Sequence, residues 1–95
     1  RIARNSLDIL MDRELPDAER AQIEAICLQH PDVRGVHDIR TRSSGITRFI
    51  QLHLELDGDA PLRRTHAVAV AVAASIREAF PDAEVIIHQD PVDSR

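Results

Sequence analysis

The sequence predicts an α+β domain with elements in the order α-β-β-α-β. A three-stranded sheet carries both helices on one face, a split-βαβ or ferredoxin-like layout. Three observations carry this reading. Residues 46–56 alternate strictly, with Ile50, Leu52, Leu54 and Leu56 on one face and Phe49, Gln51, His53 and Glu55 on the other. Residues 62–80 place Leu62, Thr65, Ala69, Val72, Ile76 and Phe80 three and four apart, which is a helical stripe. Between and around these runs, Pro31, Gly45, Gly58, Pro61 and Pro81 mark the breaks.

Taken in order, residues 1–13 hold Ile2, Leu7, Ile9 and Leu10 among Arg and Asp, the end of a helix or a linker. Pro16 suits the first turn of the next helix, where its missing N–H is not needed, and Asp17 and Glu19 suit the positive end. Ile23, Ile26 and Cys27 then recur at helical spacing over residues 18–29, and Pro31 stops the run. Residues 33–42 read as a strand, joined to residues 46–56 by Ser43-Ser44-Gly45 as a β-hairpin. Such a turn pairs residues whose numbers add to about 88, so His37 falls opposite Gln51 and diagonal to His53. After the long helix, residues 84–90 form the last strand, ending at Pro91. A right-handed helical crossover between the second and third strands is compatible with this order.

Composition narrows the function. At 95 residues the chain is one domain, and its core must come from Ile, Leu, Val and Ala, because Phe49 and Phe80 are the only aromatics apart from histidine. A second copy would help so small a core. The net charge of −4 argues against a nucleic-acid partner, and all 12 basic residues are Arg, never more than two in a row. The single cysteine, Cys27, forms neither an internal disulfide nor a cysteine-only zinc site. No stretch is apolar over the 18 or so residues a membrane span needs. The chain opens on Arg1, which reads as a piece excised from a longer protein. Enzyme chemistry is not expected: Cys27 sits among core positions, no carboxylate pair has a credible pocket, and three scattered glycines make no phosphate loop.

The chemistry-bearing residues are the five histidines and Asp90. His88 and Asp90 share one face of the last strand, half of a metal site. His53 interrupts the polar face of its strand beside Glu55, and His37 is either a solvated face residue or a ligand. His66, on the first turns of the long helix, either reaches a sheet-edge site or is exposed. His30, at a helix C-terminus, reads as a structural residue that complements the helix dipole. Imidazoles with a carboxylate suit zinc or ferrous iron; the alternative is ordinary surface histidines.

Four blocks together carry a resemblance: residues 10–17 (LMDRELPD), 35–42 (GVHDIRTR), 47–55 (TRFIQLHLE) and 85–91 (VIIHQDP). They resemble the cytoplasmic C-terminal domain of a cation diffusion facilitator, in the branch of bacterial ferrous-iron/zinc efflux pumps. The resemblance spans residues 6–91 and implies a metallochaperone-like fold that pairs with its twin and binds metal near the dimer contact. It implies a homodimeric inner-membrane antiporter that exports a divalent cation for protons, with this domain on the cytoplasmic side and the transport site in a membrane part outside this chain. The family's ligands map onto His37, His53, His66, His88 and Asp90, with Asp90 bridging two ions. Zinc is the first expectation, with iron, cobalt, cadmium and manganese as alternatives. Asp12 matches a residue in a charge contact with the membrane part. The expected organisation is a linker over residues 1–15, the metal-binding regulatory domain over 16–91 and a tail over 92–95. Two further readings compete: a stand-alone cytosolic metal carrier, against which the lone cysteine argues, and a small-molecule-sensing ferredoxin-like regulatory domain.

Overall fold

A computed structural model describes residues 17–93. The expectations for the linker, Pro16, Asp12 and the last two residues of the tail lie outside the described residues. The elements are α1 (Asp17–Leu28), β1 (Gly35–Ser44), β2 (Thr47–Asp57), α2 (Leu62–Ala79) and β3 (Ala83–Val92). The sheet order is β1-β2-β3, with β1 antiparallel and β3 parallel to the central β2. Since β2 and β3 are direct neighbours, the crossover through α2 is not split by another strand. That corrects the split-βαβ layout while keeping the α-β-β-α-β order.

Alternation along β2 decides which way the sheet faces. Ile50, Leu52, Leu54 and Leu56 are buried and join Ile23 and Cys27 of α1 and Val68, Val72 and Ile76 of α2 in one core. Both helices therefore cover the same face of the sheet. In a sheet this small, each strand residue on that face removes its whole side chain from water, worth about 1.5–3 kcal/mol for a Leu or Ile. The opposite face carries Phe49, Gln51, His53 and Glu55, which neither α1 nor α2 covers.

Two boundaries differ from the sequence reading, each for a physical reason. β3 does not stop at Pro91; it runs on to Val92, with Leu56 beside Pro91 and Asp57 beside Val92. As an edge strand, β3 tolerates a residue without an N–H. The hairpin turn is Gly45-Ile46, one step later than expected. Ser44 pairs with Thr47, and Gly45 supplies the positive φ of 63° that a two-residue turn requires. Further along, two β1 residues lie between His37 and Arg40 against one β2 residue between His53 and Gln51, which is a bulge. Asp38 occupies it with φ 53°. The later turn and the bulge together bring His37 directly opposite His53, so the expected pairing with Gln51 is wrong.

Candidate metal centre

The register builds the site. His37 lies opposite His53, and His53 lies beside His88, so one row across the three strands is histidine throughout. The rings stack along the row, His37 on His53 at 5.0 Å and His53 on His88 at 4.7 Å between centroids, tilted by 20° and 19°. The next row on the same face is Gly35, Glu55 and Asp90. A parallel pair and an antiparallel pair sharing one central strand thus place imidazoles and carboxylates in adjacent ranks.

Asp90 is the point of convergence. Its Oδ2 is 3.1 Å from His53 Nδ1 and 3.3 Å from His37 Nε2, and its Oδ1 is 3.3 Å from His53 Nδ1. His37, His53 and Asp90 each offer a donor atom within 4.8 Å of the others, the one such group among the described residues. Two more carboxylates stand behind the rings. Glu55 Oε2 is 2.8 Å from His37 Nδ1, and Asp38 Oδ2 is 3.7 Å from His53 Nε2. Asp38 is held below the usual carboxylate range, first by a hydrogen bond from Arg40 Nε at 3.1 Å. Two imidazoles among three carboxylates make a cation-seeking patch.

The donor set fits a borderline divalent ion: two imidazole nitrogens and a carboxylate, half-exposed on a rigid sheet, with a position left open. The five sequence candidates divide accordingly. His37, His53 and Asp90 come together. His88 adjoins them, stacked on His53, with its Nε2 3.4 Å from Gln51 Nε2, but it is outside the close group. His66 is exposed on α2, which packs on the other face of the sheet, so the chain does not bring it to the cluster. His30 follows the end of α1, where its Nδ1 accepts a hydrogen bond from the Asp32 N–H at 3.1 Å. That ties a turn, a different device from the expected charge–dipole contact. Asp38 was missed because regular strand alternation puts it on the face away from His37. Only the bulge turns it toward the histidines.

The chain belongs to the cation efflux proteins: residues 15–92 match that family's cytoplasmic domain. Among its relatives are the cation-efflux pumps FieF of Salmonella arizonae and Salmonella newport, each 50% identical over 91 residues, covering 96% of this chain. The chain spans 30% of the length of these curated relatives. Among solved structures it is similar to the zinc form of CzrB, described as a zinc transporter, with a TM-score of 0.78 and 31% identity. That match covers 90% of this chain and 98% of CzrB's. A nickel form of the MamM CTD shares the fold, with a TM-score of 0.75 at 20% identity over 82% of this chain and all of that one.

Proposed function

We propose that this chain is the metal-binding, self-pairing regulatory domain of a divalent-cation/proton antiporter, on the cytoplasmic side of a bacterial inner membrane. The observation that carries it is Asp90, whose carboxylate faces a nitrogen of His37 and a nitrogen of His53 at 3.1–3.3 Å. A cation seated among those three atoms satisfies all of them. The efflux activity of the FieF relatives and the zinc form of CzrB support the same reading.

His37 sits on β1, His53 on β2 and Asp90 on β3, so a bound ion joins all three strands. Its binding energy adds to the stability of that arrangement and of any dimer that requires it. The open sheet face gives a second copy a surface to meet, with the half-exposed Ile86 in the row next to the histidines and Phe49 in the row after it. His88 extends the site toward a second ion shared through Asp90. His66 joins only if the twin presents it, because its own helix lies on the far layer. Zinc is the first assignment, since imidazole and carboxylate suit it, with iron, cobalt, cadmium and manganese as competitors for the same donors. Bound dications also offset the repulsion between like-charged carboxylates brought together at a dimer contact.

The test is calorimetric titration of the chain with zinc, beside the same titration of Asp90→Ala. Binding should be lost or reduced at least about tenfold in the variant, because it loses the donor that both imidazoles face. Undiminished binding sinks the site.

A further inference from the structure

We propose that Glu55 is a positioning residue of this centre: through His37 Nδ1 it fixes the tautomer and angle that present His37 Nε2 to the ion. The inference rests on the metal-site reading above and deepens it. A carboxylate accepts a hydrogen bond, so the 2.8 Å contact places a proton on His37 Nδ1, and in the neutral ring this leaves the Nε2 lone pair free. That nitrogen is the one facing Asp90 Oδ2, at 3.3 Å. With the ring neutral, two acceptors face each other there, an arrangement that a cation between them, a proton or a metal ion, resolves. Glu55 is not itself part of the close donor group, which is His37, His53 and Asp90. It therefore acts through the ring.

A second, independent feature shows that the Glu55 carboxylate is housed in that position. Glu55 lies between Gly35 on β1 and Asp90 on β3. Its carboxylate leans toward β1 and occupies the space where any other residue at 35 would carry a Cβ. A Cβ there would stand 2.6 Å from Glu55 Oε1 and 3.2 Å from its carboxyl carbon. The backbone of Gly35 is not in the left-handed region, so glycine is required by this approach and not by conformation. The arrangement is a carboxylate–histidine–metal relay in which the outer carboxylate orients the ring and raises its basicity. Asp38 stands in the same relation to His53, at 3.7 Å, too far for a hydrogen bond.

The experiment uses nitrogen-15 NMR of the histidine rings, together with zinc calorimetry, on the chain and three variants. Glu55→Ala removes the carboxylate. Gly35→Ala keeps it but drives it off His37, at little cost to the fold, because the displaced atoms end a flexible side chain. Glu55→Gln restores an acceptor without the charge. In the metal-free chain His37 should show the Nδ1–H tautomer, and both alanine variants should shift it toward Nε2–H. Zinc affinity should fall about 10–100-fold in those two, and Glu55→Gln should recover most of it. Unchanged zinc affinity in Glu55→Ala, or weakened binding with the His37 tautomer unmoved, overturns the proposal. The tautomer is read without metal, so it tests Glu55 separately from Asp90→Ala, which tests the site.

Discussion

Adjacent residues on β2 test both the core and the site. Leu54 is fully buried, pairs with Val36 and Gln89, and belongs to the cluster between sheet and helices. His53, its neighbour, faces the open side of the sheet and is half-buried by other imidazoles. Leu54→Ala removes about three carbons' worth of buried volume from a central strand whose neighbours are fixed by hydrogen bonds. Little collapse is available, so the cost should be about 3–4 kcal/mol. A domain of this size holds roughly 5–10 kcal/mol in total. At about 4–8 °C per kcal/mol, the melting temperature should drop by 12 °C or more. His53→Ala, measured without metal, should cost less than about 1 kcal/mol, since it opens no closed cavity. Thermal melts followed by circular dichroism, in chelator, check both. A one-residue slip of β2 would exchange the two faces. Costs of similar size, or a smaller one for Leu54, would mean that the histidine row is not where the register puts it and that His37, His53 and Asp90 do not converge.

Other outcomes follow from the same geometry. Zinc at one hundred times its dissociation constant should add about 2.7 kcal/mol to stability, and melts of Asp90→Ala should show far less. Burial raises the Cys27 thiol from 9.0 to about 11, with Glu24 adding to it. The unfolded thiol thus ionises first, and stability should fall by about 2–3 kcal/mol as pH climbs from about 9 to 11. Urea melts should show that fall in the native chain and a flatter profile in Cys27→Ala. Asp32 is held low by the hydrogen bond from Arg64, so its support is present at neutral pH and is lost as pH falls through the lowered value. In Arg64→Ala the Asp32 carboxyl should titrate closer to the ordinary range, which carbon-13 NMR reads directly. At Asp38, Asn tolerates a positive φ and should cost little, whereas Val should cost about 1–3 kcal/mol in a melt.

The parts of the fold visible in the sequence are those set by local period. The alternation of Ile50 to Leu56 against Phe49 to Glu55 holds to the residue, because one face is dry and the other is not. The stripe of α2 holds through Val72 and Ile76 to Phe80 for the same reason. Leu62 is the exception: it opens the helix 79% exposed among the described residues, because the first turn lies at the margin of the core that Val68, Val72 and Ile76 fill. Register was less legible. Turn position and bulge are decided by single residues, Gly45 and Asp38, whose positive φ values have no periodic signature. The histidines were visible as residue types, and which of them meet depended on those two positions. His66 shows the same limit from the other side: its spacing places it on a helix, but the layer against which the helix packs decides its company.

The bulge at Asp38 joins fold to chemistry. In an unbroken strand His37 and Asp38 would point to opposite faces, and the carboxylate would enter the apolar core beside Leu52 and Leu54. With φ at 53°, Asp38 instead stays on the open face, 42% exposed, within ion-pair range of Arg40 and His53. Ile39 then turns back to the core, where it packs as a partly buried residue. One inserted residue therefore keeps both Val36 and Ile39 packed on the core while aligning His37 with His53 and His88. Without it, either the core face or the histidine row would be out of step. Within the bulge, Arg40 Nε donates a hydrogen bond to the Asp38 carboxylate at 3.1 Å and holds that side chain on the open face. Metal affinity in this domain should accordingly respond to β1 residues that never touch the ion, because they fix which atoms of His37 and His53 meet Asp90.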